Sequence, residues 1–135
     1  MICLDTNVVI GTITGRVPRF RVRLNELLGR RASVAMPVIA LYEMRYGNAK
    51  SDRRNESERV LDMFLATGVD VLPFKEEDAR HAGDIRAHLE RLGEPIGHYD
   101  YLIAAQARCR NATLVTANSR EFQRVPGLTV TDWTV

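Results

Sequence analysis

Four acidic residues, far apart along the chain, stand where a carboxylate could do chemistry: Asp5, Glu43, Asp100 and Glu121. Asp5 ends the apolar run 1–4 and is followed by Thr6 and Asn7. A short unbroken apolar run reads as a strand buried on both faces. Its end is the rim where open α/β sheets bind ligands. The same three residues also suit the cap of a following helix. Glu43 shares a helical face with Ile39 and Tyr46, spaced by four and three. A carboxylate on such an apolar stripe is costly unless it is paired, hydrogen-bonded or metal-bound; reaching solvent, or pairing with Arg45 or Arg54, is the alternative. Asp100 opens a helix, where the helix dipole favours a negative charge. The apolar continuation Leu102-Ile103-Ala104-Ala105 marks that helix as buried and turns Asp100 toward a crevice. Glu121 and Asn118 follow the run 113–116, with capping again the alternative.

The elements that must position these acids follow from apolar spacing and breakers. A short helix over about 7–12, loosened by Gly11 and Gly15, follows the first strand. Val22, Leu24, Leu27 and Leu28 give a helical face ending near Gly29. A strand covers 33–36, and Pro37 opens a helix to Gly47. The polar, basic segment 48–57 reads as a loop or helix start. Val60, Leu61, Phe64 and Leu65 form the next helical face, ended by Gly68. A strand over 69–72 stops at Pro73. Glu76, Glu77 and Asp78 begin a helix whose stripe is Ala79, Ala82, Ile85, Leu89 and Leu92, with His81 and His88 off it on the surface. The helix opened at residues 97–101, the strand 113–116 and a last strand 128–130 complete the order. Alternation of this kind implies a mainly parallel sheet with helices on both faces.

Right-handed crossovers place the ends of parallel strands on one rim. Four carboxyls can meet there with no basic residue between them. Such a cluster repels itself unless cations occupy it or some members bind protons. Hard divalent cations take oxygen ligands. Two such ions about 3.5–4 Å apart can activate water and stabilise the leaving oxygen of a phosphodiester.

The 135 residues suit one domain spanning 1–135, and a hydrophobic content of 45% suffices for one core. The net charge of +2 permits a polyanionic partner without requiring one. Cys3 and Cys109 lack metal-ligand spacing and read as reduced thiols of a cytoplasmic protein. The apolar start has no basic leader, no segment is long enough to cross a bilayer, and no repeat is present.

The segments Leu4-Asp5-Thr6-Asn7, Leu41-Tyr42-Glu43-Met44-Arg45-Tyr46-Gly47, Ile96-Gly97-His98-Tyr99-Asp100-Tyr101 and Leu114-Val115-Thr116-Ala117-Asn118-Ser119-Arg120-Glu121 resemble those of PIN-domain ribonucleases. More narrowly, they resemble the VapC toxins of bacterial toxin–antitoxin pairs. The likeness runs from Met1 to Trp133, and four motifs in this order and at these intervals are specific. It implies a PIN-like three-layer α/β fold with a central sheet of about five strands. It implies a Mg²⁺- or Mn²⁺-dependent endoribonuclease. Asp5, Glu43 and Asp100 match the metal-binding acids, and Glu121 matches a fourth acidic position that some relatives place at Asn118. Thr6, Asn7, Thr116 and Asn118 are the supporting polar residues. The resemblance further implies a homodimer, a cognate VapB-type antitoxin, and structured RNA such as tRNA as substrate. Arg16, Arg19, Arg21, Arg45, Lys50, Arg53 and Arg54 are candidates to hold RNA phosphates. Tyr42, Tyr46 and Tyr99 could stack bases, with a core role as the simpler expectation for each.

Three other readings remain at this point. A phosphoryl-transfer protein would use Asp5 as nucleophile, although Asn7 stands where dehalogenases need a second Asp and no suitable Lys follows a late strand. A non-catalytic binding module would keep the acids only as caps. A PIN fold could also act on DNA.

Overall fold

The computed structural model describes residues 1–134. Five strands are joined by helices: β1 (Ile2–Leu4), α1 (Thr6–Thr14), α2 (Pro18–Gly29), β2 (Val34–Pro37), α3 (Val38–Ala49), α4 (Arg54–Leu65), β3 (Asp70–Leu72), α5 (Glu76–Arg91), α6 (His98–Cys109), β4 (Thr113–Val115), α7 (Ser119–Phe122) and β5 (Thr129–Thr131). The strand order is β3-β2-β1-β4-β5, and all four pairings are parallel. The sheet is thus wholly parallel, where the sequence indicated mainly parallel. In the central strands, Cys3, Leu4, Val34, Ala35, Met36, Leu114 and Val115 are all buried, so helices cover both faces of the sheet. The edge strands β3 and β5 are largely exposed. No described helix is long and apolar enough to cross a membrane.

The chain turns from β1 toward β2 and β3 on one side, then places β4 and β5 on the other. The reversal lies between β1 and β4, and the crevice at the carboxyl ends of those strands is the expected ligand position in such sheets. Leu4 pairs with Val115, and the Asp5 N–H donates to the Val115 carbonyl at 3.0 Å. The residues leaving these two strands, Asp5 and Thr116, therefore begin side by side.

Several local expectations need correction. Gly11 does not loosen α1; it lets α2 approach, since a Cβ there would come 2.8 Å from the Phe20 ring. Gly15 adopts φ +70 at the end of α1, a conformation that suits glycine. Phe20 and Leu24 are the buried residues of α2, whereas Val22 is exposed. Pro37 closes β2 and caps α3, which continues past Gly47 to Ala49. In α5, Asp78 joins Ala82, Ile85 and Leu89 among the buried residues, while Ala79 and Leu92 are exposed. Asp78 is buried because Arg110 pairs with it at 2.7 Å. His88 is exposed as expected, but His81 accepts a hydrogen bond from Arg108 at 2.9 Å. Gln106 pins α6 to the end of β3, its amide donating to the Leu72 and Pro73 carbonyls.

Candidate active site

Asp5 is the pivot of the β1–β4 crevice. It is the N-cap of α1 and accepts from the Thr6 N–H at 2.8 Å through Oδ1, so the capping reading is realised. Its other oxygen, Oδ2, accepts from the Thr116 hydroxyl at 2.7 Å. With both oxygens held and only 4% exposure, Asp5 is poorly placed to act as a nucleophile. Burial raises its pKa; hydrogen bonds from Thr116 and Thr6 oppose the rise, and the Glu43 charge adds to it.

Thr6 joins two of the acids. Its backbone N–H caps Asp5, and its hydroxyl donates to Glu43 Oε1 at 2.8 Å. Glu43 sits on α3, which starts directly after β2 and thus reaches the same rim. It is half-buried rather than central to an apolar stripe: Ala40 and Met44 are the buried residues of α3, and Tyr46 is exposed. Beside Glu43, a cavity of about 640 Å³ opens between α1, α3 and α4. Ile10, Ile13, Met44 and Leu61 line it, together with Asn48.

Asp100 lies in the first turn of α6, half-buried. Its pKa is raised from 3.8 to about 6, first by burial and then by the charges of Asp5, Glu43 and Glu121. A backbone hydrogen bond from Gly97 lowers it in part. Glu121, on the short helix α7 beyond β4, accepts from the Asn118 side-chain amide at 3.0 Å. Asn118 is itself held by its N–H donating to Thr116 Oγ1 at 2.9 Å. Thr116, fully buried, thus ties Asp5 to the Asn118–Glu121 pair.

Asp5, Glu43 and Glu121 therefore all act on Asp100, and the groups that hydrogen-bond to Asp5, Glu43 and Glu121 are hydroxyls and amides. This oxygen-rich, negative set suits a hard divalent cation. Among the described residues, however, no three His, Cys, Asp or Glu side chains close on a single point. That openness is compatible with Mg²⁺, which takes one or two carboxylates and keeps several waters.

Other expected site residues fall elsewhere. Asn7 is exposed and makes no hydrogen bond to the cluster among the described residues. Arg21 caps the end of α1 through the Thr12 and Ile13 carbonyls, both at 2.9 Å. Arg45 pairs with Glu58 and Asp62 of α4, so its charge is already matched. Arg19 donates to the Thr134 carbonyl at 3.0 Å. Arg16, Lys50, Arg53 and Arg54 remain exposed basic side chains. Gly97 was missed by sequence reasoning: a Cβ there would lie 2.9 Å from Asp100 Oδ2. Its φ of −61 needs no glycine, so a glycine three residues before an acid was the available signal.

The family model for the PIN domain matches residues 2–128. The chain is 39% identical over 130 residues to the "tRNA(fMet)-specific endonuclease VapC" of Shigella flexneri, covering 96% of each protein. This chain is a PIN-domain protein of the VapC ribonuclease family. Its fold superposes with a TM-score of 0.91 on VapBC2 of Rickettsia felis, a structure bound to a DNA fragment from the pair's promoter, at 36% identity over 98% of this chain and 99% of that one. DNA-bound VapBC of Salmonella typhimurium gives a TM-score of 0.89 at 38% identity, covering 98% of this chain and 97% of that one. Membership of the VapC family makes the chain an RNA-cleaving hydrolase.

Proposed function

We propose that this VapC-family chain is a divalent-metal-dependent endoribonuclease, working in the cytoplasm, with Asp5, Glu43 and Asp100 holding Mg²⁺ or Mn²⁺ and Glu121 acting as a fourth, outer acid. The observation that carries the reading is the set of charges acting on Asp100: Asp5, Glu43 and Glu121, all negative. Ionised carboxylates gathered in this way are destabilised until a cation joins them. When bound, a divalent ion supplies the positive charge that the scissile phosphodiester and the attacking water require. Thr116 and Thr6 fix the Asp5 carboxylate, Thr6 also fixes Glu43, and Asn118 orients Glu121. Arg16, Lys50, Arg53 and Arg54 are free to meet RNA phosphates, which gives affinity without sequence choice.

The tRNA(fMet) specificity of the Shigella relative makes tRNA, initiator tRNA first, the substrate class to test. The VapBC complexes among the relatives support a VapB-type antitoxin partner, and we propose that the chain assembles as a homodimer within that pair. Purified chain is incubated with initiator tRNA, bulk tRNA and a DNA hairpin in Mg²⁺, in Mn²⁺ and in EDTA. Discrete cuts in tRNA that vanish in EDTA and in Asp5→Asn are expected. Undiminished cutting in EDTA, or by Asp5→Asn, overturns the metal reading.

A further inference from the structure

The acids have aromatic neighbours that the proposed chemistry leaves unused. Tyr42 precedes Glu43 in the chain, and Tyr99 precedes Asp100. Both are exposed, by 49% and 44%, and Tyr46 is exposed by 58%. Buried aromatic rings are the norm for a domain of this size, and Phe20, Phe122 and Trp133 obey it. Three exposed tyrosines, two of them adjoining site acids and the third one turn along α3, therefore need a reason. The Tyr42 and Tyr99 rings meet edge to face, with centroids 5.4 Å apart, and their hydroxyls are 3.2 Å apart. This bridge joins α3 to the start of α6, each ring adjoining a site acid in the chain. An edge-to-face pair covers one ring face and leaves the others open, whereas a stacked pair covers a face of each ring.

Tyr42 and Tyr46 on α3, and Lys50 at its C-cap, recur every four residues and so form one exposed stripe. Lys50 Nζ lies 4.8 Å from the Tyr46 ring centroid, over one face, leaving the other to solvent. Tyr46 follows Tyr42 by one helical turn on α3, and the Tyr42 ring meets that of Tyr99, so the three rings follow one another along the α3–α6 side. Ring faces interleaved with cations are how proteins bind single strands, because every base has a face to stack and a phosphate to neutralise. Duplex RNA hides its base faces and offers no such contact.

We propose that Tyr42, Tyr46 and Tyr99 form a stacking shelf for unpaired nucleobases flanking the scissile bond, with Lys50 meeting the adjoining phosphate. The inference rests on the endoribonuclease reading above and adds the form of the substrate: a single-stranded or looped segment, laid along α3 away from the acids. A peptide partner could use the same rings, but it would not need the regular alternation with a cation.

The test measures binding apart from cleavage. Asp100→Asn chain, which is expected to leave RNA intact and is checked for this on a gel, is titrated in Mg²⁺ against a fluorescein-labelled ten-nucleotide single strand and against the same strand in a duplex. Tyr46→Ala and Tyr42→Ala are each expected to weaken single-strand binding by about tenfold. Their Phe counterparts should stay within about twofold of the parent, and duplex binding should change little in any of them. The salt slope should be unaltered by Tyr46→Ala and fall by about one in Lys50→Ala. If the wild-type chain cuts no RNA yet this pattern appears, the nuclease reading falls and the shelf stands. Parent-like single-strand binding by both Ala variants overturns the shelf. So does an equal loss on duplex, or an altered sedimentation mass with RNA affinity unchanged, which would make this face an interface between protein chains.

Discussion

Replacing Asp100 by Asn should stabilise the metal-free protein while removing its activity. Holding Asp100 ionised carries a cost, set first by its burial and then by the charges of three other acids. Its pKa stands at about 6 instead of 3.8. At roughly 1.4 kcal/mol per unit, that shift corresponds to about 3 kcal/mol. Asp100 is only half-buried, so solvent screening reduces the figure to about 1–2 kcal/mol. The sign follows from linkage: the folded pKa lies above the unfolded one, so the contribution of Asp100 to stability is full below about pH 4 and is lost as pH rises through about 6. Asn keeps the shape and remains neutral at every pH. In EDTA at pH 7.5, Asp100→Asn should melt about 3–8 °C above wild type by calorimetry. At pH 4 the two should nearly coincide. Mn²⁺ should then raise the melting point of the wild type by several degrees, through preferential binding to the folded state, and raise that of Asp100→Asn far less. A variant that is less stable than wild type at pH 7.5, or whose advantage does not depend on pH, would refute the idea that the acids are held together at a cost.

Thr116→Ala removes the hydroxyl that holds Asp5 Oδ2, and unfolding in urea should show a loss of about 1.5–3 kcal/mol. The lost bond had lowered the Asp5 pKa, so the acidic limb of the pH–rate profile should move to higher pH, with Thr116→Ser restoring both. Gly97→Ala should keep or slightly raise stability, since φ −61 suits alanine, yet cut the cleavage rate by displacing Asp100; equal rates would refute the role of that close approach. Arg45→Ala should leave the salt dependence of tRNA binding unchanged because Glu58 and Asp62 already match its charge, whereas Arg53→Ala should reduce the slope by about one.

The sequence revealed the sheet because its signal is local. The apolar runs before Asp5 and after Asn111 are strands wherever they pack, and alternation with helices leaves a parallel sheet as the simplest product. It also pointed to Asp5, Asp100 and Glu121 as acids of one rim, because each follows a strand or opens a helix there; Glu43, midway along α3, reaches Asp5 only through the Thr6 hydroxyl. The roles of the basic and aromatic residues were not legible, since they depend on contacts between distant segments. Nothing near Arg45 in the chain announces that Glu58 and Asp62 lie opposite it on α4. Arg21 reads as a surface charge until α1 ends beside it and presents the Thr12 and Ile13 carbonyls. The tyrosines carried a core expectation from composition alone, and their exposure followed only from where α3 and α6 approach each other.

Those engaged arginines bear on how the site stays open to a cation. A chain with more basic than acidic residues could neutralise a carboxylate cluster with its own guanidinium groups. Such a plug would remove the repulsion, and with it the affinity for a divalent ion. Here the arginines near the core have other partners: Arg110 holds Asp78, Arg45 holds Glu58, Arg21 caps α1 and Arg108 meets His81 and the Pro126 carbonyl. Donors to the site acids are instead Thr6, Thr116 and Asn118, which orient carboxylates without cancelling their charge. Placing an Arg within reach of Asp5 should therefore act like a resident inhibitor, lowering metal affinity while stabilising the fold. A partner protein that extends a guanidinium into this crevice would produce the same effect reversibly.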